Sequence, residues 1–109
     1  MNKRKEILDL VRLAGKKKCL YLPHAIRQMS RPERMITTAE VRSTIENGET
    51  IEDYSEDSRG HSCLVLGKGY NGRPIHIVCA PKDEFLAIIT AYIPDPNQWS
   101  KDYKVRVKK

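Results

Sequence analysis

Residues 73–94 read RPIHIVCAPKDEFLAIITAYIP, two apolar runs over Pro74–Ala80 and Phe85–Ile93 joined by the polar turn Pro81–Glu84. Runs of this length, rich in Ile, Val and Tyr, are strand-like, and a short polar turn between them predicts an antiparallel hairpin. Almost all of the stretch belongs in a core, yet it carries Arg73, His76, Thr90 and Tyr92. Either these four are satisfied polar groups in a half-buried sheet, or the sheet has a working face. Register decides between them. His76 shares a face with Thr90 and Tyr92 only at an even offset, which a three- or five-residue turn or a bulge produces and a two- or four-residue turn does not.

Working towards the N-terminus, Asn71-Gly72 is a hairpin signal that joins this pair to a further strand over Ser62–Gly67. Glu49–Tyr54 is a fourth candidate strand. Before it the period changes from extended to helical. Thr37 with Glu40 three residues later forms a capping box, and Ile36 with Val41 can staple it, so a helix starts here and ends at Asn47-Gly48. Pro23 can open an earlier helix carrying His24 to Met29, ended or bent by Pro32. Cys19–Leu22 is a short apolar run, an edge strand or extended lead-in. Ile7, Leu8, Leu10, Val11 and Ala14 give a helical stripe over Lys3–Ala14, with Gly15 as its stop. Helices first and a meander afterwards make the class α+β, with N-terminal helices packed on a four-stranded antiparallel sheet.

The chain has 109 residues, enough for one core, divided as a basic N-terminal helix over residues 1–18, the domain proper over 19–99 and a basic tail over 100–109. No apolar run reaches the roughly 18 residues of a membrane span, and the N-terminus lacks a signal peptide's apolar segment, so the expected location is the cytoplasm. Three widely spaced cysteines, Cys19, Cys63 and Cys79, predict reduced thiols rather than a disulfide framework. The formal charge is +6, with 20 Lys plus Arg against 14 Asp plus Glu. The bases sit at both termini and around Arg27, Arg31 and Arg34, while the acids cluster over Glu49–Asp57 and read as solvent-facing. Such a surface suits a polyanionic partner or is simply solvated.

Candidate chemistry narrows quickly. His61, Cys63, His76 and Cys79 have the composition of a zinc site, but three-residue spacing on a strand points His76 and Cys79 to opposite faces, and no CxxC is present; no metal and no cofactor are expected. Gly67–Arg73 has glycines and bases but leads into a strand, whereas a phosphate loop leads into a helix. As a hairpin tip, Lys68, Tyr70 and Arg73 can touch a nucleic-acid backbone or stack on a base. For metal-free RNA cleavage a base must take the 2′-hydroxyl proton, an acid must protonate the leaving oxygen, and cations must hold the phosphate. His24, His76, Tyr92, Arg34, Arg73 and Lys68 make up such a kit. Taken singly, each has a plain structural reading.

Tyr21–Met29, Glu33–Thr37, Val41 and Gly48 resemble the opening of the domain-of-unknown-function family 4258 (DUF4258). Ile51–Tyr54, Cys63–Gly67, Gly72–Cys79 and Ala87–Tyr92 continue the likeness in order, over about Leu20 to Trp99. The resemblance implies a fold similar to the RelE-like and motility quorum-sensing regulator-type toxins of toxin–antitoxin systems, with helices on one face of a small antiparallel sheet and messenger RNA on the other. It further implies a cognate antitoxin with a zinc finger and a helix-turn-helix. His24, Arg34, Tyr54, His76, Thr90 and Tyr92 match the family's pattern. Gln28 stands where the family has its first Arg, with Arg27 one residue earlier, and Arg31-Pro32 reads as an insertion.

The expected function is therefore a metal-independent endoribonuclease toxin, with His24, His76, Tyr92 and Arg34 in acid–base and phosphate roles. Arg27, Arg31, Lys68, Arg73, Tyr54 and Thr90 would contact RNA. The alternative is a non-catalytic module of the same fold that binds RNA or a protein.

Overall fold

The computed structural model describes residues 3–107; Met1 and Asn2, and the last two bases of the tail, Lys108 and Lys109, lie outside them. The elements run α1 (Lys3–Lys17), β1 (Cys19–Tyr21), α2 (Pro23–Met29), α3 (Thr38–Asn47), β2 (Glu49–Tyr54), β3 (Ser62–Lys68), a 3-10 turn at Tyr70–Gly72, β4 (Pro74–Pro81) and β5 (Leu86–Tyr92). The class is α+β, but the sheet differs from the expectation in one respect. It has five strands in the order β1-β5-β4-β3-β2 and is mixed, because β1 lies parallel to β5 through Cys19–Leu86, Leu20–Ala87 and Tyr21–Ile88. The Cys19–Leu22 run is too short to show a period, so nothing local announces its partner.

The four expected strands form the expected meander. Ile75, Ile77 and Cys79 of β4 and Cys63 and Val65 of β3 pack under the helices against Ile7, Val11, Ala25, Met29, Val41 and Ile45. This is the main core. The opposite face carries Leu64, Ile51 and Trp99, and further along Ala80, Ala87 and Ile89.

Local chemistry places the helices. Thr37 and Glu40 make the full capping box at the start of α3. At its other end Arg12 of α1 donates to the carbonyls of Ile45 and Gly48, both at 3.0 Å, satisfying acceptors the helix leaves open. Gly48 ends α3 with φ −86°, and glycine is needed there because a Cβ would lie 2.4 Å from the carbonyl oxygens of Thr44 and Leu66. Gly15 does not stop α1, which runs on to Lys17.

Candidate functional site

The β4–β5 register answers the question raised by the sequence. Pro81 pairs with Leu86 across a four-residue connection, which alone would send His76 and Tyr92 to opposite faces. A bulge between Val78 and Cys79 leaves Ile89 unmatched and shifts the ladder by one, so Val78 faces Thr90 and His76 faces Tyr92. His76, Thr90 and Tyr92 thus share the face opposite the helices.

That face is covered. From Pro94 the chain turns back, and Trp99 and Arg106 form a bridge that holds residues 99–106 as a loop over β2–β4. Trp99 is buried and stands edge-on to His76, with ring centroids 4.4 Å apart. The His76 imidazole is fully enclosed, at 0% exposure. Its Nε2 lies 2.9 Å from the Tyr103 carbonyl and its Nδ1 3.2 Å from the Tyr92 hydroxyl. A carbonyl only accepts, so Nε2 carries the proton. In the neutral ring Nδ1 then accepts from Tyr92. Burial lowers the pKa of His76, only partly offset by the Tyr103 carbonyl, and burial raises that of the Tyr92 hydroxyl.

Beside this pair lies a second polar group that sequence reasoning missed. Arg106 makes a two-pronged contact with Glu52, at 2.9 and 3.1 Å, while its guanidinium sits 4.7 Å above the Trp99 ring. Tyr54 donates its hydroxyl to the same carboxylate. Burial and the Glu52 carboxylate together push the Tyr54 hydroxyl up to about 12. Glu52 is therefore engaged rather than solvent-facing. Trp99 at the end of the domain proper and Tyr103 inside the basic tail were the available sign that this segment packs.

Arg73 faces elsewhere. Its guanidinium donates to both carboxylate oxygens of Glu40, at 3.0 and 2.8 Å, and to the carbonyls of Arg34 and Met35, at 2.6 and 3.3 Å. Glu40 is buried and also accepts from the Tyr70 N–H at 2.8 Å. Burial opposes its charge, but the bonds from Arg73, Tyr70 and Thr37 outweigh burial and lower its pKa to about 2. Arg73 thus ties the hairpin tip to α3.

The remaining candidates are not gathered around His76. His24 and Arg27 are exposed on α2, and no described contact joins His24 to His76. Arg34 donates to Gln28 at 2.8 Å, and Arg31 pairs with Glu33. Lys68 is exposed at the end of β3. Cys63 of β3 and Cys79 of β4 face the helices as free thiols, on the other side of the sheet from His76. Among the described residues no cluster of three or more His, Cys, Asp or Glu is arranged to hold a metal, and no helix is long and apolar enough to cross a membrane.

Three helices on one face of a five-stranded mixed sheet, with a polar row on the other face closed by the C-terminal segment, define a small α+β domain. The chain belongs to the family described as domain of unknown function DUF4258, whose model matches residues 21–93. No curated protein and no solved structure matches it.

Proposed function

We propose that this chain is an RNA-binding module of the toxin–antitoxin type, in which the His76–Tyr92 pair secures the fold rather than cutting the strand. The enclosure of His76 carries this reading: the ring is wholly buried, both nitrogens are engaged and its positive charge is disfavoured. A general base must come within hydrogen-bond reach of the proton it takes, and an enclosed imidazole has no such reach. The outer surface, by contrast, keeps Arg27, Arg31 and Lys68 exposed for phosphate contacts on a chain of charge +6. The partner expected for such a module is a co-encoded antitoxin, with a zinc finger and a helix-turn-helix, that covers part of this basic surface.

A second reading, a metal-independent endoribonuclease, draws support from Glu52, Tyr54 and Arg106. They set a carboxylate and a phenol beside His76–Tyr92, so that displacing residues 99–106 would uncover a base and an acid, with Arg106 a phosphate stabiliser carried on the displaced loop. One experiment separates the two: labelled single-stranded RNA is incubated with the protein and resolved on native and denaturing gels. The binding reading expects a retarded band and intact RNA. New 5′-hydroxyl ends made by the wild type and lost in Tyr92→Phe would transfer the assignment to the enzyme.

A further inference from the structure

If RNA is the ligand, the sheet face is closed to it, and a different part of the surface has the right shape. A cleft of about 780 Å³ opens between the C-terminal end of α3, the β3–β4 hairpin and the covering loop. Its walls include Ser43, Asn47, Lys68, Lys101, Tyr103 and Lys104. A shallower hollow of about 190 Å³ adjoins it through the shared residues Ser43 and Lys68 and ends at Tyr70. The two form one groove along the edge of the domain.

Glycines shape its walls. Gly67 lies so close to α3 that a Cβ there would sit 2.7 Å from the Thr44 Cα, whereas Gly72 faces open space. The missing side chain at Gly67 lets β3 lie directly on α3 beside the groove. Lys68 and Lys101 have no ion-pair partner among the described residues. Lys104 is held by Glu49 at 2.9 Å. Of the other acids lining the groove, Asp102 accepts from the Ser100 hydroxyl at 2.6 Å and the Lys104 N–H at 3.2 Å, and so closes its own turn, while Glu40 is taken up by Arg73. At the far end Tyr70 is 58% exposed although its N–H is fixed on Glu40. It is an aromatic ring presented to solvent from a pinned backbone.

We propose that this groove, and not the sheet face, is the RNA site: one unpaired strand lies along it, its phosphates on Lys68 and Lys101 and one base stacked on Tyr70. Spaced free ammonium groups ending at an exposed ring suit a flexible strand whose bases are unstacked, since every base offers a face to an aromatic platform. A duplex hides those faces. The inference rests on the RNA-binding reading above.

The test is fluorescence anisotropy with a labelled 12-nucleotide single strand, the matching duplex and free nucleoside monophosphates, over a range of salt. The double variant Lys68→Glu/Lys101→Glu is expected to weaken single-strand binding by on the order of tenfold or more, and to reduce the salt slope by about 1.4 through the loss of two phosphate contacts. Tyr70→Ala is expected to cost roughly five- to a hundredfold. Glu49→Gln frees Lys104 and is expected to tighten binding about two- to fivefold, a gain that no loss of structure would produce. Lys16→Glu/Lys18→Glu, outside the groove, makes the same change in total charge and is expected to leave affinity within about twofold. Wild-type protein that binds the strand while the groove variants match it overturns the groove and leaves the RNA-binding reading standing. Full competition by millimolar monophosphate, or preference for the duplex, overturns the single-strand form of the proposal. Wild-type protein that binds no RNA even at low salt overturns the reading itself, and the groove with it.

Discussion

Arg73, just before β4, and His76 within it do the same job on opposite sides of the sheet by different chemistry. On the helix side Arg73 grips the carbonyls of Arg34 and Met35, in the connection between α2 and α3. On the other side His76 grips the carbonyl of Tyr103, in the C-terminal loop. Met35 and Tyr103 both have positive φ, 47° and 63°, a conformation that non-glycine residues avoid at a cost of about 1–2 kcal/mol. Each irregular segment is thus held in a left-handed turn by a polar side chain reaching out of the sheet. The difference lies in charge. Arg73 carries a permanent charge that Glu40 meets in a bidentate pair, whereas burial keeps His76 neutral between a carbonyl and a phenol. A strand position that looks reactive in the sequence can therefore be a clamp, and the partners decide which kind.

The sharpest way to break the comparison is to remove the charged clamp. Arg73→Met leaves the buried Glu40 carboxylate unpaired and is expected to cost about 3–5 kcal/mol in urea unfolding. A loss below about 1 kcal/mol would mean that Glu40 is satisfied without Arg73.

The neutral clamp depends more on apolar packing. Trp99→Ala is expected to cost about 3 kcal/mol and to expose Tyr92, read as increased fluorescence quenching by acrylamide. Unchanged quenching in a folded variant would show that the loop stays down without its anchor.

The two clamps should also separate by pH. The folded-state pKa of His76 is lowered by burial, so between that value and the unfolded value of about 6.5 the unfolded chain binds the extra proton. The contribution of His76 is complete above about pH 6.5 and is lost as pH falls below it. Glu40, lowered to about 2, contributes fully above the unfolded value of about 4.3 and loses its contribution only as pH falls from there towards 2. His76→Leu should cost about 1–3 kcal/mol at pH 7.5 and flatten the stability curve between pH 7 and 5.5. A curve that stays as steep as that of the wild type would assign the slope to another group.

The smallest effect tests the strained turn itself. Met35 is 62% exposed, so Met35→Gly removes the left-handed penalty at little packing cost, and a gain of up to about 1 kcal/mol is expected. A loss would show that the Met35 side chain contributes more than its backbone costs.

Much of this arrangement was legible in the sequence because it is local. The capping box at Thr37 and Glu40 and the four meander strands follow from spacing alone and are present, and of the apolar stripe of α1 Ile7, Leu8, Val11 and Ala14 are buried while Leu10 is exposed. What escaped is non-local or carried by backbone. The Glu40–Arg73 pair spans 33 residues. The acceptor for His76 is the carbonyl of Tyr103, and any residue has one. The bulge at Ile89 that brings Tyr92 opposite His76 has no glycine or other marker in Leu86–Tyr92. Turn length alone would have given the opposite answer, and the bulge reverses it. The parallel partner of β1 was likewise invisible, since three residues offer no register.

That parallel strand sets the order in which the chain can be finished. Among the strands, residues 19–21 pair with β5 alone, at residues 86–88. A ribosome adding roughly 5–20 residues per second needs several seconds to cover that interval. Throughout it Leu20 and Tyr21 have no strand to join, while β2, β3 and β4 can already meet as neighbouring hairpins. Completion of the sheet is therefore the last strand pairing available during synthesis, followed by the docking of residues 99–106, and it joins one of the earliest segments made to one of the latest.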